Sequence, residues 1–346
     1  MSIKNEAQKL TIIIPAYKEA GSVGDTVKSL INQTTPPKQI IVIDDCSTDN
    51  TAEVAKASGA KVVTPPHNTG TKAGAQNYGL SFVDTKYVMA IDADTIIAKD
   101  GVEKLLPALF EKNVVAACGS VIPRYRKTLW ERGRYIEYLM AFTFYKPIQN
   151  YFEKPLISSG CFSVYKTKIL KKMGGWQTRT MAEDMDLTWS FYHKGYSVRF
   201  VPEAVSYPIE PHNFNFMKKQ LKRWSHGFMQ NVILHGKEVI EIPYLAGIIT
   251  VGLWDALIAS LSYLFLAPVL TLVFRNPIFL LAYIIDAPAI AAPVLIKAYE
   301  RKEFWEALTS IPSFFVLRFV NCYFILEAFF QEIVFKNRLT VYEKGH

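Results

Sequence analysis

Cysteine is scarce and scattered in this chain. Cys46, Cys118, Cys161 and Cys322 include no Cys-x-x-Cys pair, which argues against a disulfide framework or a cysteine-based zinc site and favours a reducing, cytosolic setting. No Gly-x-Gly-x-x-Gly follows the first apolar run, so a dinucleotide-dependent dehydrogenase is a poor fit. No zinc-finger or RNP-type pattern accompanies the net charge of +8, so nucleic acid is not an expected partner. The polar stretch Met1 to Leu10 predicts neither a signal peptide nor an N-terminal membrane helix. Charge itself is nearly missing from residues 245 to 296: Leu245 to Val273 is apolar apart from Asp255, and Ile278 to Ile296 apart from Asp286.

Each of those two stretches is long enough for a hydrocarbon layer that needs about 20 apolar residues. Two transmembrane helices are therefore expected over 245–297, after a catalytic-type globular region over 1–240. The link Phe274-Arg275-Asn276-Pro277 carries one positive charge, whereas Lys297, Arg301 and Lys302 follow the second span. By the positive-inside rule the link lies outside and the large domain on the cytosolic face. Asp255 and Asp286 are expected to face protein or a polar path. The third apolar stretch, 303–335, carries Glu306, Arg318, Glu327 and Glu332 and reads as an interfacial amphipathic helix, with a cytosolic tail over 336–346. Basic clusters at 124–134, 166–172 and 218–223 suit membrane lipids with anionic headgroups, with some cations left for phosphates.

Within residues 1–240 the order is α/β. Thr11 to Ile14 and Ile40 to Ile43 are short apolar runs of buried-strand type, separated by a helical pattern through Val23, Val27, Leu30 and Ile31. Such a βαβ unit binds ligands at the carboxyl ends of its strands, where Tyr17, Glu19, Asp44 and Asp45 fall. A third run, Tyr87 to Ile91, ends in Asp92-Ala93-Asp94. If the strand continues, its period of two places both carboxylates on one face. That is costly unless a cation lies between them, and a divalent ion is one answer. A plain strand-to-loop turn is the other reading.

Lys72, at a glycine-bearing loop-to-helix junction, is either a phosphate ligand or a solvated lysine. Residues 130–152, rich in aromatic and basic groups, form either an interfacial helix or a core-packed one. Ser159-Gly160-Cys161 is a small-residue turn able to admit a ligand close to the backbone. Glu183, Asp184 and Asp186 open a helix, where acids are favoured by the dipole and where one of them can serve as a general base. Gln220, Arg223 and Trp224 supply an amide, a guanidinium suited to pyrophosphate and an indole suited to a sugar face.

Taken in order, Pro15-Ala16-Tyr17-Lys18-Glu19, Asp44-Asp45-Cys46-Ser47, Lys72 with Asn77, Asp92-Ala93-Asp94, Glu183-Asp184 and Gln220-x-x-Arg223-Trp224 resemble the processive, membrane-integrated family 2 glycosyltransferases. These include the cellulose, hyaluronan, chitin and poly-N-acetylglucosamine synthases. The resemblance implies a GT-A nucleotide-sugar-binding domain, a Rossmann-like mixed sheet, followed by membrane helices. It implies an inverting, metal-dependent hexosyltransferase moving a sugar, most often from a UDP-sugar, to a polysaccharide or glycolipid acceptor with a β-linkage. Pro15, Tyr17, Glu19, Asp45, Lys72, Asp92, Gln220 and Arg223 would bind the donor. Asp94 would hold manganese or magnesium. Asp184, with Glu183 beside it, would be catalytic, and Ser159, Gly160, Cys161 and Trp224 would shape the acceptor site. Leu339 to Gly345 resembles a degenerate form of the gating loop of cellulose synthases. Two spans do not easily enclose a sugar-wide channel, so either copies of the chain assemble as a homo-oligomer or one or a few sugars are transferred. The competing readings are a polyprenyl-phosphate sugar synthase, which generally lacks the Gln-x-x-Arg-Trp element, and a non-catalytic transporter or scaffold with a nucleotide-binding domain.

Overall fold

A computed structural model describes residues 2–341, with the side chain of Asp255 left aside. The expected gating-loop residues Tyr342 to Gly345 lie outside the described residues. The chain forms two compact units, Met1–Arg124 with Pro147–Ile209, and Tyr125–Lys146 with Glu210–His346. The sequence draws a boundary near residue 240; the two units change at 124/125, 146/147 and 209/210.

The first unit is built on an eight-stranded sheet in the order β3-β2-β1-β4-β7-β6-β8-β5. Its strands are β1 (Leu10–Ala16), β2 (Gln39–Asp44), β3 (Lys61–Val63), β4 (Tyr87–Ile91), β5 (Thr95–Ile97), β6 (Val114–Val121), β7 (Phe162–Lys166) and β8 (Ser197–Pro208). Strands β3, β2, β1 and β4 run parallel, with Ala16 opposite Asp44 and Ile13 opposite Ala90. Strand β7 reverses direction between β4 and β6. The apolar runs in the sequence are the strands covered on both faces, which is why they lack polar alternation. Ile12, Ile13, Ile14, Val42, Val88, Met89 and Ala90 are all fully buried. The helix Lys72–Leu80 lies so close to the sheet that a Cβ at Gly79 would stand 2.5 Å from Ile43. All four carboxyl ends of the parallel strands therefore open onto one edge, as the βαβ reading requires.

At the opposite end of β4, the buried carboxylate of Glu6 accepts hydrogen bonds from Lys9 (2.6 Å), Lys86 (2.9 Å) and the Tyr87 hydroxyl (2.9 Å). Hydrogen bonds from Lys9 and then Lys86 hold its pKa down to about 2 from 4.5, against the opposing pull of burial. A carboxylate depressed in the folded state contributes stability that is complete above the unfolded value and disappears as pH falls from about 4.5 toward about 2. Both lysines are half exposed, so water screens the pairs and the contribution is on the order of 1 kcal/mol. Thermal melts between pH 7 and pH 2.5 should show the parent losing more stability on acidification than Glu6→Gln, by that amount. Parallel pH profiles would remove Glu6 as a contributor.

The second unit is helical. The helix Leu129–Met140 opens with a capping box, Thr128 accepting from the Glu131 amide (3.3 Å) and Glu131 accepting from the Thr128 amide (2.9 Å). It crosses the helix Phe304–Phe329 at Gly133, where a Cβ would stand 2.8 Å from the Ser313 carbonyl oxygen. One face of the 130–152 segment is thus packed against protein: Arg134, Tyr135 and Ile136 are fully buried, while Phe144, Tyr145, Tyr151 and Phe152 are exposed.

Three helical stretches are long and apolar enough to cross a membrane: Pro243–Phe274, Pro277–Glu300 and Phe304–Val334. The second starts as a tight 3-10 segment, Pro277–Tyr283, before the α-helix Ala287–Glu300. The charges that distinguish the third all have protein partners. Glu306 pairs with Arg126 (2.6 Å) and Arg318 with Asp286 (2.5 Å). Glu327 and Glu332 face opposite nitrogens of buried His226, at 2.9 and 2.7 Å. Paired charges are far less costly in an apolar setting than lone ones, so length, composition and pairing all permit this helix to cross as well as to lie at the interface.

Candidate active site

The first two strand ends are tied to each other. Lys18 and Cys46, just beyond β1 and β2, have positive φ (55° and 60°), a conformation few side chains adopt without support. Support comes from hydrogen bonds: the Lys18 amide donates to the Ser47 hydroxyl (2.9 Å) and the Glu19 amide to the Thr51 hydroxyl (2.8 Å). Glu19 is buried and its carboxylate accepts from the Ser22 hydroxyl (2.5 Å). Pro15 and Tyr17 lie at the end of β1 on this edge.

Asp45 faces the loop that precedes the helix Lys72–Leu80. Its carboxylate accepts from the Thr69 amide (2.8 Å) and hydroxyl (2.9 Å), and its carbonyl oxygen accepts from Asn68 (2.6 Å). Thr71 caps the helix by accepting from the Gly74 amide (3.1 Å). Lys72 is thereby delivered at the helix start, where its ammonium forms an ion pair with Asp92 and donates to the Gly160 carbonyl (3.2 Å). Lys72 is thus not a solvated surface lysine. Asn77, further along the same helix, clamps Trp176 through both amide atoms (2.6 and 2.9 Å), a structural task.

Asp92 and Asp94 depart from the shared-face expectation. Strand β4 ends at Ile91, and the two acids sit in a turn before β5, closed by the Thr95 amide donating to the Asp92 carbonyl (3.2 Å). Strand periodicity therefore does not set their directions. The cation expected beside two close carboxylates is present for one of them, in the form of Lys72 on Asp92. Asp94 accepts from the Thr95 hydroxyl (3.1 Å).

The turn before β7 brings in the last group. The Gly160 amide donates to Asp184 Oδ2 (2.8 Å), and a Cβ at Gly160 would lie 2.9 Å from that oxygen and 3.2 Å from Lys72 Nζ. Only glycine lets the backbone bridge the cation and the carboxylate so closely. Ser159 accepts at its carbonyl from Ser163 (2.6 Å), and Cys161 is half-buried. The three acids of the helix Glu183–His193 separate by environment. Asp186 is fully buried in a two-pronged pair with Arg179 (2.8 and 2.8 Å), and Glu183 is also buried. Asp184 is partly open to solvent, beside Gly160. A base must reach the proton it takes, and of the three Asp184 is the one positioned to do so.

Lys72, Asp92, Gly160 and Asp184 thus form one connected set in the first unit, and Asp45 anchors the loop that leads into Lys72. Gln220, Arg223 and Trp224 stand on the helix Phe214–Ile240 of the second unit. There the sequence reading overlooked a residue. Arg134, grouped with lipid-facing cations, is fully buried and donates to Gln220 Oε1 (2.6 Å) with its guanidinium 4.6 Å from the Trp224 ring. Its only sequence signal was an arginine on the aromatic side of an amphipathic helix.

Among the described residues, no group of three His, Cys, Asp or Glu side chains could hold a metal ion. A hard divalent ion that relies on one or two carboxylates plus substrate phosphates needs no such cage, and Asp94 next to a lysine-neutralised Asp92 fits that donor set.

A mixed sheet whose parallel half gathers acids, a lysine and a glycine turn at its carboxyl edge is the layout of a GT-A domain, here followed by apolar helices. Residues 11–174 match the model described as Glycosyl transferase family 2. The likeness to that family is thus confined to just under half of the chain. The chain is 31% identical over 234 residues to a poly-beta-1,6-N-acetyl-D-glucosamine synthase of Staphylococcus epidermidis, covering 65% of this chain and 56% of the relative. To the enzyme of that name from Staphylococcus aureus it is 26% identical over 227 residues, covering 64% and 55%. The chain therefore spans about half the length of these curated relatives. Among solved structures, a mannosyltransferase from Pyrobaculum calidifontis in complex with GDP-Man and Mn2+ superposes with a TM-score of 0.62 at 17% identity, covering 95% of this chain and 88% of that one, which shows the shared fold.

Proposed function

We propose that the chain is an inverting, metal-dependent glycosyltransferase that moves a sugar from a UDP-sugar to a membrane-associated saccharide or glycolipid acceptor. The observation that carries this reading is the Lys72–Gly160–Asp184 connection, which holds a solvent-reaching carboxylate next to a cation at the carboxyl edge of a parallel sheet. Asp184 accepts the proton of the acceptor hydroxyl. The hydroxyl oxygen bonds to the anomeric carbon as the bond from that carbon to the diphosphate oxygen breaks, and the diphosphate leaves with the electron pair. Attack from the far side turns an α-linked donor into a β-linked product. Lys72 favours the negative charge that develops on the leaving side, and Arg223 provides a second cation suited to a diphosphate. Asp94 would hold the divalent ion, whose chemistry when bound is to neutralise the diphosphate. Asp45 and Asp92, with Tyr17 and Glu19, would serve the nucleoside. Trp224, 37% exposed, offers a face for an acceptor sugar.

The relatives' names favour N-acetylglucosamine as the sugar transferred. The positive flank after Glu300, formed by Arg301 and Lys302, favours the cytosolic face for the first unit. The test is incubation of the purified full chain in lipid nanodiscs with a panel of UDP- and GDP-sugars and Mn2+, scoring nucleotide release and product size. UDP release with UDP-N-acetylglucosamine is the expected result. Release with none of the donors would overturn the reading, and a product carrying one sugar on a lipid would exclude polymer synthesis.

A further inference from the structure

In the second unit, Gln220 spends both ends of its amide inside the protein. Its oxygen accepts from Arg134 (2.6 Å) and its nitrogen donates to Glu210 (3.4 Å). Glu210 is buried and also accepts from the Tyr138 hydroxyl (2.8 Å). Arg134 is fully enclosed, pairs with Glu137 (2.5 Å) and lies 3.6 Å from Glu210. Its guanidinium stacks on the indole of Trp224 at 4.6 Å. Burying a guanidinium costs several kcal/mol unless its donors are met. Here Glu137 and the Gln220 amide oxygen accept from its terminal nitrogens, Glu210 adds an opposite charge 3.6 Å from Nε, which itself has no hydrogen-bond partner, and the guanidinium lies over the Trp224 ring. Burial pushes the Glu210 carboxyl up, and the charge of Arg134 opposes that shift. The amide of Gln220 is thus engaged with both Arg134 and Glu210.

We infer that Gln220 and Arg134 are positioning residues that fix the Trp224 indole as an acceptor-sugar platform. The inference rests on the reading above that Trp224 serves the acceptor. A guanidinium pinned on one face leaves the exposed part of the ring at a set angle for a pyranose. Lysine at position 134 keeps the charge but loses the planar fork that both orients and stacks.

The test uses the full chain in nanodiscs, a β-1,6-linked oligo-N-acetylglucosamine as acceptor probe and UDP as nucleotide probe. For Arg134→Lys, and separately for Gln220→Ala in case the buried substitution fails to fold, the acceptor KM should rise about tenfold while the UDP Kd stays within about twofold. Trp224→Ala should raise the acceptor KM at least as much, and the double variant Arg134→Lys/Trp224→Ala should be no worse than Trp224→Ala alone. Additive effects in the double variant, or a weakened UDP Kd in Gln220→Ala with an unchanged acceptor KM, would overturn the clamp while leaving the acceptor role of Trp224 standing. An unchanged acceptor KM in Trp224→Ala would remove the acceptor reading and this inference with it.

Discussion

Asp184→Asn should lower kcat by about a thousandfold or more while the Kd for UDP is unchanged, measured by single-turnover transfer and by calorimetry on the same preparation. General bases are worth about 10²–10⁴-fold, and the substitution removes the base alone. Asparagine keeps an oxygen able to accept from the Gly160 amide, which donates to Asp184 Oδ2 at 2.8 Å. The amide of Met185, 2.9 Å from Asp184 Oδ1, and the Thr188 hydroxyl, which donates to the Asp184 carbonyl at 2.6 Å, hold the backbone and side chain in place. Geometry therefore survives while proton acceptance does not. Asp186→Asn predicts a different pattern, because Asp186 is enclosed and paired with Arg179: its loss should appear in stability. Transfer that persists at the parent rate in Asp184→Asn would remove Asp184 as the general base.

The parallel half of the sheet was legible because burial on both faces writes itself as unbroken apolar runs, and β1, β2 and β4 coincide with the runs at Thr11, Ile40 and Tyr87. The glycine-bearing stretch before Lys72 was legible as a loop-to-helix junction, and Thr71 closes it by accepting from the Gly74 amide. What sequence could not order were pairs set by tertiary packing. Arg134 and Gln220 are 86 positions apart, and Asp286 and Arg318 are 32 apart. A buried arginine and a lipid-facing one look alike until the partner is known. The same holds for Glu327 and Glu332, whose partner His226 lies about a hundred positions earlier in the chain. Three acids in one helical turn carried no internal label either. Only Arg179 on Asp186 and Gly160 beside Asp184 distinguish a structural acid from a candidate base.

At the end of β4, strand periodicity gave the wrong reason for a sound suspicion. The two acids sit in a turn after the strand, and the cation on Asp92 is Lys72. This asymmetry separates their roles. Asp94→Asn should lower kcat/KM by at least about a hundredfold, since it removes the carboxylate that would hold the divalent ion on the diphosphate, and residual activity should respond little to added Mn2+. Asp92→Asn should instead keep a normal Mn2+ titration midpoint. Its expected defect is in donor KM, because Lys72 loses its charged partner while the Gly160 carbonyl, 3.2 Å away, still accepts from it. Nucleotide release measured against Mn2+ concentration for the two variants decides the matter. A shifted midpoint in Asp92→Asn, with Asp94→Asn unchanged, would reverse the assignment and make Lys72 and the ion competitors for one carboxylate.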